Sequence, residues 1–428
     1  MSKEIFDRSR IEFKSGVPEV LFRGVNGQCS VPRCKRPTTG PFYELVESIN
    51  MGVACHIYSA AKEGPRGQGG RDKEFIESAE NGIWCCQYHA ALIDKKKGID
   101  YPASTLFAWK RLAEARVRKQ MSDIPSPLGW VESIEFLTPH ARGFPEPKIV
   151  LSRNTLFTGG NERGKTALLE AAASICNSKY FERISSSYSI VEDEKVGVRI
   201  EAKITYSTVD TFSKEVHIVA DNFVIKRRTG NAPCLLPPGD IEVIFISEDD
   251  ARKRESEDDL RFLMRALNVD LSALRELIEI GQADFFDGKL HLRKEMKEDT
   301  IGNFYQRTDE DGNEFYELVL TRKRAGLDID VSYNRLSTSE KGRLLIALSI
   351  TKAREVAKQR LTLLIVESLA INFDEANFKK LLTALRVEDF QSLVTIPPIR
   401  EKSIIDFCDG KNNLRDLDYL KDWTLQEL

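Results

Sequence analysis

A glycine-rich segment near the middle of the chain has the residue types and spacing of a phosphate-binding loop. Gly159 is followed after four residues by Gly164, Lys165 and Thr166. Glycines let backbone N–H groups turn toward phosphates, the lysine supplies a cation for the β- and γ-phosphate oxygens, and the threonine hydroxyl can reach Mg²⁺. We predict that ATP and Mg²⁺ bind here, with Asn161 also contributing to the loop. The alternative is a relic loop that binds nothing.

A second set of residues, close to the start of the chain, has the types and spacing of metal ligands. Cys29 and Cys34 form one short pair, and Cys86 and His89 form a second pair about 50 residues later. Two such pairs suit a tetrahedral Zn²⁺ ion. Cys85 competes with Cys86 for the second pair, but Cys86 has the spacing of one helical turn to His89. We predict one structural Zn²⁺, and the alternative is a set of buried free thiols.

The elements that must position these residues can also be read from the sequence. An apolar strand is predicted at 155–158 before the loop, and a helix at 167–175 after it. The charge-dense run 247–260 predicts the start of an exposed helix, and a β-rich stretch with a turn at 309–312 follows. These elements indicate an α/β protein.

The segment from Leu336 to Glu340, with the sequence LSTSE, precedes a long helix-forming run. The spacing from Ser337 to Glu340 is that of a capping box. After a phosphate loop and before an apolar strand, this segment resembles the LSGGE signature of ABC ATPases. The resemblance implies an ABC-type P-loop ATPase head, in which a mixed sheet is flanked by helices. It also implies that Ser337 and its helix start cap the γ-phosphate held by a second subunit, with Glu340 beside it.

The acidic residues further along continue this resemblance. In ABC ATPases an apolar strand is followed by Asp and Glu, and the D-loop Asp lies seven residues after the first acid. Here residues 363–366 are apolar, and Asp374 lies seven residues after Glu367. The resemblance therefore places Glu367 at the Mg²⁺-supporting position and Ser368 at the catalytic glutamate, where a hydroxyl is a poor general base. No histidine follows His291, so the switch histidine is absent and we predict slow or degenerate hydrolysis.

Over about residues 130–428 the chain resembles the compact ABC ATPases of the SMC and DNA-repair type. Thr166 and Leu336 are only 170 positions apart, which leaves room for a short helical insert at about 248–282 rather than a long coiled coil. A short-insert head of this kind is similar to the ATPases of bacterial anti-phage defence systems. The resemblance implies that heads assemble as a dimer or higher oligomer on binding nucleotide. It further implies a protein that senses invasion and controls a nuclease or toxin effector encoded nearby.

The residues between the two ligand pairs resemble an HNH-type zinc domain, a small ββα fold. The resemblance places the general-base histidine at His56 and the middle asparagine at Asn81, whereas Ala90 occupies the position of a further metal-binding histidine. It implies a zinc-stabilised module used for docking or recognition, with DNA or RNA as candidate partners. The alternatives for the whole chain are an ATP-gated HNH endonuclease and a DNA-repair type ATPase.

Length, composition and charge limit the class of protein. A chain of 428 residues with 41 % hydrophobic residues and a mean hydropathy of −0.34 is neither disordered nor membrane-embedded. Residues 1–120 carry a net charge of +6 and the rest −9, which suits nucleic-acid contact or simply a solvated basic helix at 109–120. Pro125 and Pro127 mark a linker, so we predict domains at 1–122 and 123–428. Without an apolar leader, we expect a cytoplasmic protein with reduced cysteines.

Overall fold

The computed structural model describes most of the chain. The described residues are 10–32, 34, 36–42, 47–121, 129–138, 148–160, 164–191, 194–209, 213–281, 288–309, 311–324, 326–396, 418–420 and 422–428. Asn161 and the predicted linker at 122–128 lie outside them. The division of the chain at 122/123 therefore stays a proposal.

The N-terminal unit, residues 10–121, has four described α-helices and four described strands. In chain order they are α1 (Val17–Gly24), β1 (Thr39–Pro41), β2 (Ser48–Asn50), β3 (Gly52–His56), α2 (Lys73–Ile76), β4 (Gly82–Cys86), α3 (Gln87–Ile93) and α4 (Ala103–Gln120). Strands β3 and β4 pair antiparallel, with Gly52 opposite Cys86 and His56 opposite Gly82. Because α3 begins directly after β4, these three elements form a ββα arrangement. Buried side chains of β4, α3 and α4 make its core.

The remaining described residues, from 129 onward, form a larger unit that we call the head. Its first half contains β5 (Gly129–Phe136), β6 (Lys148–Val150), β7 (Asn154–Thr158), α5 (Lys165–Ala173), α6 (Glu182–Ser185), β8 (Tyr188–Val191), β9 (Glu194–Gly197), β10 (Ile200–Thr208), β11 (Lys214–Asp221), β12 (Val224–Thr229), β13 (Ala232–Pro233) and β14 (Ile241–Ile246). Its second half contains α7 (Asp259–Leu267), α8 (Leu271–Ile280), β15 (Lys289–Lys294), β16 (Met296–Glu298), β17 (Phe304–Gln306), β18 (Tyr316–Arg324), β19 (Leu327–Ser332), α9 (Thr338–Ala357), β20 (Leu361–Val366), α10 (Glu375–Val387), β21 (Gln391–Thr395) and β22 (Thr424–Glu427). Over the described part of the chain, we find no helix with the length and apolar character needed to cross a membrane.

Two large sheets organise the head. Five parallel strands follow the order β14-β20-β21-β7-β22, and six antiparallel strands follow the order β13-β12-β11-β10-β5-β6. We predicted one mixed sheet, but the parallel and antiparallel strands lie in separate sheets. The burial pattern gives the reason. Strands β7, β20 and β21 are buried along their whole length, as parallel strands covered on both faces are, whereas β12 exposes alternate residues.

The parallel sheet lies between two layers. Successive residues of a strand point to opposite faces. Leu156 and Leu364 pack with α7–α10 on one face, whereas Phe157 and Ile365 pack with α5 and the antiparallel sheet on the other. The loops after the parallel strands therefore meet at one edge of a rigid core, which is where ligands bind in sheets of this kind.

The predicted insert at about 248–282 is helical only from Asp259 onward. The Asp258 carboxylate accepts the N–H of Arg261 at 2.7 Å and of Tyr316 at 2.8 Å, so it caps α7 and fixes the start of the helix. The preceding residues form turns instead of the exposed helix that their charge predicts. Beyond α8 the chain forms a small antiparallel sheet of β15, β18 and β19 and a hairpin of β16 and β17.

Candidate functional site

The phosphate loop connects β7 to α5. Gly159 has φ of 134° and Gly164 has φ of 89°, which are backbone conformations that favour glycine. The Lys165 ammonium donates to the carbonyl oxygens of Gly159 and Gly160, so it lies inside the loop. The strand and helix that the sequence predicts on either side are observed as β7 and α5. The loop thus has the backbone freedom and the cation that phosphate binding needs.

The hydroxyl of Thr166 donates to a carboxylate oxygen of Glu367 at 2.7 Å. Glu367 follows β20 directly, and its backbone N–H donates to the carbonyl of Ile246 at 2.8 Å, which ties it to the end of β14. A hydroxyl and a carboxylate in contact are the oxygen ligands that Mg²⁺ prefers. These are the two residues that the sequence assigns to Mg²⁺, and the structure brings them together.

Ser368, which the sequence assigns to the position of a general base, is held by its backbone. Its φ of 57° is left-handed, and its N–H donates to the Thr395 hydroxyl at 2.8 Å. Thr395 ends β21, the strand between β20 and the loop strand β7. Sequence reasoning missed Thr395, because its role depends on strand order. Its place directly after the apolar pair Leu393 and Val394 was the available signal.

Glu170, which lies on α5, forms an ion pair with Arg183. Arg183 binds the Glu170 carboxylate through two nitrogens, at distances from 2.7 to 3.0 Å. Burial raises the pKa of Glu170, the arginine opposes that effect, and the nearby Glu367 charge adds to it. Neither residue belongs to a motif that we predicted from the sequence. The signal was the spacing of four residues from Thr166 to Glu170, which places both on one face of α5.

The signature-like segment begins a long helix, α9, and the start of this helix is exposed. Ser337 is the N-cap of α9, its hydroxyl accepts the N–H of Glu340 at 3.3 Å, and its own N–H donates to the Glu340 carboxylate at 2.9 Å. Arg322 donates to the other oxygen of that carboxylate at 2.8 Å. The Ser337 N–H and Arg322 lower the pKa of Glu340 to about 2. The predicted capping box is therefore observed.

Asp374 lies at a separate helix start. It is exposed, caps α10, and accepts the N–H of Asn377 at 2.7 Å. The structure thus gathers Lys165, Thr166 and Glu367 around one loop. It leaves Ser337 and Asp374 at two exposed helix N-termini, where a second molecule could reach them.

The four predicted zinc ligands lie together in the N-terminal unit. One ligand atom each from Cys29, Cys34, Cys86 and His89 falls within 4.8 Å of the others. The His89 Nδ1 lies 3.2 Å from the Cys86 sulfur and 3.6 Å from the Cys29 sulfur. Tetrahedral Zn²⁺ with bonds of about 2.3 Å to sulfur and about 2.0 Å to nitrogen places such atoms roughly 3.5 Å apart. The cluster therefore fits zinc.

Cys85, the competing ligand, has a different position. Its thiol hydrogen-bonds to Cys29, and this bond lowers the pKa of Cys29 to about 5. Cys85 is fully buried and belongs to the core of the N-terminal unit. It supports a ligand rather than joining the cluster.

The residues assigned to the HNH resemblance have unequal surroundings. His56 lines a pocket of about 310 Å³ with Arg66, Ala90 and Asp94, and burial lowers its pKa. The Phe13 ring stacks on the imidazole with centroids 3.7 Å apart. Asn81 instead is fully buried and binds backbone: its side chain accepts from the N–H of Tyr58 at 2.8 Å and donates to the Tyr58 carbonyl at 2.9 Å.

Comparisons with known proteins give structural neighbours only. No protein-family model matches the chain, and no curated protein matches its sequence. The chain is similar to the recombination mediator protein RecF with ATP (12 % identity, TM-score 0.43, 63 % of this chain and 92 % of that one). It is also similar to an Smc head bound to the C-winged helix domain of ScpA (12 % identity, TM-score 0.41, 64 % of this chain and 91 % of that one). A third neighbour is the SMC head domain from Thermotoga maritima (12 % identity, TM-score 0.36, 64 % of this chain and 91 % of that one).

Proposed function

We propose that this chain is an ABC-type ATPase head that binds ATP and Mg²⁺ and assembles with a second copy around the nucleotide. The observation that carries the proposal is the contact of Thr166 with Glu367, beside a loop that holds Lys165. Lys165 would pair with the β- and γ-phosphates, and Thr166 and Glu367 would hold Mg²⁺. The metal would neutralise charge on the phosphate oxygens.

The exposed start of α9 supports the assembly of two copies. The N–H groups at a helix N-terminus attract anions, and Ser337 is exposed there. The Glu340 carboxylate now occupies this helix start. A phosphate at this helix start would have to displace that carboxylate, which Arg322 also binds. Asp374, at the exposed start of α10, is a second candidate contact across the dimer.

A bulky cation at the helix start is expected to prevent assembly. Ser337→Arg should abolish the shift from monomer to dimer mass that a non-hydrolysable ATP analogue produces, while nucleotide binding to the monomer persists. The measurement is light scattering during size exclusion, with and without the analogue. Ser272→Arg is the matched control, because Ser272 is an exposed serine near the start of α8. If the wild type binds the analogue and stays monomeric, the proposed assembly of two copies around the nucleotide is wrong.

Hydrolysis is expected to be slow, because Ser368 lacks a carboxylate. Ser368→Glu should raise single-turnover hydrolysis about 10-fold or more, since a positioned general base contributes about 10²–10⁴-fold. The gain is reduced because the switch histidine is also absent, and such groups act as a unit. Ser368→Ala is the control and should match the wild type. Ordinary ABC turnover in both wild type and Ser368→Ala would show that another residue is the base.

For the N-terminal unit we propose zinc-stabilised docking or recognition. Its ββα arrangement and ligand cluster support an HNH-like fold held by Zn²⁺. For the whole protein we propose the defence role that the short insert implies, in which head assembly controls an effector encoded nearby. Co-purification from the native operon tests this role. A preparation with no associated effector and no loss of phage resistance in Lys165→Ala would reject it.

DNA cleavage is the second candidate function, because His56 lines a pocket, but we expect none with Mg²⁺ or Mn²⁺. Ala90 presents a methyl group where a metal-binding side chain is needed, and Phe13 covers the imidazole. Gel assays on duplex and single-stranded DNA measure this. Phe13→Ala uncovers His56 and should remain inactive. Robust cleavage that is lost in His56→Ala would establish the nuclease instead.

A further inference from the structure

The carboxylate of Asp422, in the head, accepts hydrogen bonds from two side chains of the N-terminal unit. The Tyr58 hydroxyl donates to Oδ1 of Asp422 at 2.6 Å, and the Arg71 guanidinium donates to Oδ2 at 2.9 Å. Tyr58 is buried, and burial raises its pKa well above the ordinary value, so it remains a donor at neutral pH. Both carboxylate oxygens are thus engaged across the contact between the two units.

The position of the Tyr58 hydroxyl is fixed within the N-terminal unit. Asn81 binds both the N–H and the carbonyl of Tyr58, and Asn81 directly precedes β4, which ends at the zinc-ligand candidate Cys86. A side chain at Gly69 would overlap the Tyr58 ring, so the backbone packs directly against it. The rings of Phe75 and Phe107 lie around the same side chain. Tyr58 therefore presents its hydroxyl from a rigid site.

On the other side, Asp422 lies two residues before β22. Its φ of 74° is left-handed, a conformation that aspartate and asparagine adopt more readily than most residues other than glycine. The hydroxyl of Thr424, the first residue of β22, is hydrogen-bonded at 2.9 Å to that of Ser104 on α4. The N-terminal unit thus holds the beginning of β22 at two points.

Strand β22 lies beside the loop strand. It pairs parallel with β7 from Thr424 opposite Thr155 to Glu427 opposite Thr158. The next N–H, of Leu428, donates to the Thr158 carbonyl at 3.0 Å, and the Leu428 carbonyl lies where a side chain on Gly159 would be. The backbone after β22 therefore packs against the first glycine of the phosphate loop.

We propose that Asp422 is a positioning residue for the phosphate loop, through which Tyr58 and Arg71 of the N-terminal unit set nucleotide affinity. The contact fixes where β22 begins, and β22 fixes the backbone that lies against Gly159. This inference rests on the proposed function, because it requires that the loop binds nucleotide. The packing of Trp423 and Leu425 in the core holds β22 independently, so the effect is a weakening of affinity rather than its loss.

The test is nucleotide affinity in variants that weaken the contact with little change of shape. Tyr58→Phe removes the hydroxyl that donates to Asp422, and Asp422→Asn removes the charge that Arg71 binds. Tyr58→Phe keeps the ring, and Asp422→Asn keeps a side chain that tolerates left-handed φ. Each should weaken binding of a non-hydrolysable ATP analogue about 5- to 20-fold in calorimetry, a range typical of coupling between sites. The double variant should weaken binding by less than the product of the two single effects, because both act through the side chain of Asp422.

Arg111→Gln is the matched control. Arg111 makes a different ion pair between the units, with Asp389 at 3.0 Å, in which Arg111 is partly exposed and Asp389 is exposed. It should bind the analogue like the wild type. Equal weakening in this control, or unchanged affinity in both Tyr58→Phe and Asp422→Asn, would overturn the proposal.

Hydrogen exchange separates positioning from a merely structural contact. By reciprocity, nucleotide must act back on the N-terminal unit. The analogue should slow exchange in a peptide covering residues 58–71 of the wild type, and it should not do so in Tyr58→Phe. No protection in the wild type refutes the inference while leaving nucleotide binding intact. A wild type that binds no nucleotide refutes the proposed function as well.

Discussion

Lys165→Ala is expected to lower ATP affinity by about 100-fold or more. The Lys165 ammonium lies inside the loop, against the carbonyl oxygens of Gly159 and Gly160. From this position it can face two phosphate groups of a bound nucleotide. A hydrogen bond to a charged group contributes about 1.5–3 kcal/mol, and two such bonds correspond to at least two powers of ten in affinity. Calorimetry with ATP and Mg²⁺ measures the loss.

Two further variants make this result specific. Lys179→Ala removes an exposed lysine shortly after α5 and should leave affinity unchanged. Thr166→Ala should weaken binding mainly when Mg²⁺ is present, because the Thr166 hydroxyl contacts Glu367, the other proposed Mg²⁺ ligand. Equal affinity in wild type and Lys165→Ala would mean that the loop does not bind nucleotide.

The residues around the loop could be predicted where the signal is local. The apolar run 363–366 predicts a strand, which is observed as β20. The G-x4-G-K-T pattern predicts glycine conformations that are observed at Gly159 and Gly164. Thr166 and Glu367 are 201 residues apart, yet their contact is expected, because parallel strands end at one edge of the sheet. The two motifs together therefore predict a contact between residues that are far apart in the sequence.

Other features depend on packing that no local pattern encodes. The contact of Ser368 with Thr395 exists because β21 lies between β20 and β7, an order that the sequence does not state. The separation of parallel and antiparallel strands into two sheets has the same origin. Tyr58 and Asp422 are 364 residues apart, and neither belongs to a motif, so their contact was not predictable.

The start of α7 is another feature that the sequence did not predict. Charge density at 247–260 favoured an exposed helix, but the Asp258 carboxylate caps the chain at that point and also binds Tyr316, far along the sequence. A side chain that accepts from the helix start and from one distant backbone N–H stabilises this boundary better than solvated charges stabilise another turn. Tertiary hydrogen bonds therefore set the boundary.

Cys86→Ala is expected to release zinc and unfold the N-terminal unit. Structural zinc contributes on the order of 10 kcal/mol to small domains, which exceeds what a core of this size supplies alone. His89→Ala should do the same. His89→Cys should retain zinc, because four cysteines also form a tetrahedral site. Elemental analysis gives the zinc content, and near-ultraviolet circular dichroism and limited proteolysis report the fold.

Two cysteines in the same core provide the controls. Cys55→Ala removes a buried thiol outside the ligand cluster and should keep the zinc. Cys85→Ala should also keep it, although loss of the hydrogen bond to Cys29 should make zinc easier to remove with a chelator, because that bond favours the Cys29 thiolate. If zinc is lost in Cys85→Ala but kept in Cys86→Ala, Cys85 is the zinc ligand and Cys86 is not. Natively purified protein without zinc would favour the buried free thiols, since the same four side chains would then be held together by packing alone.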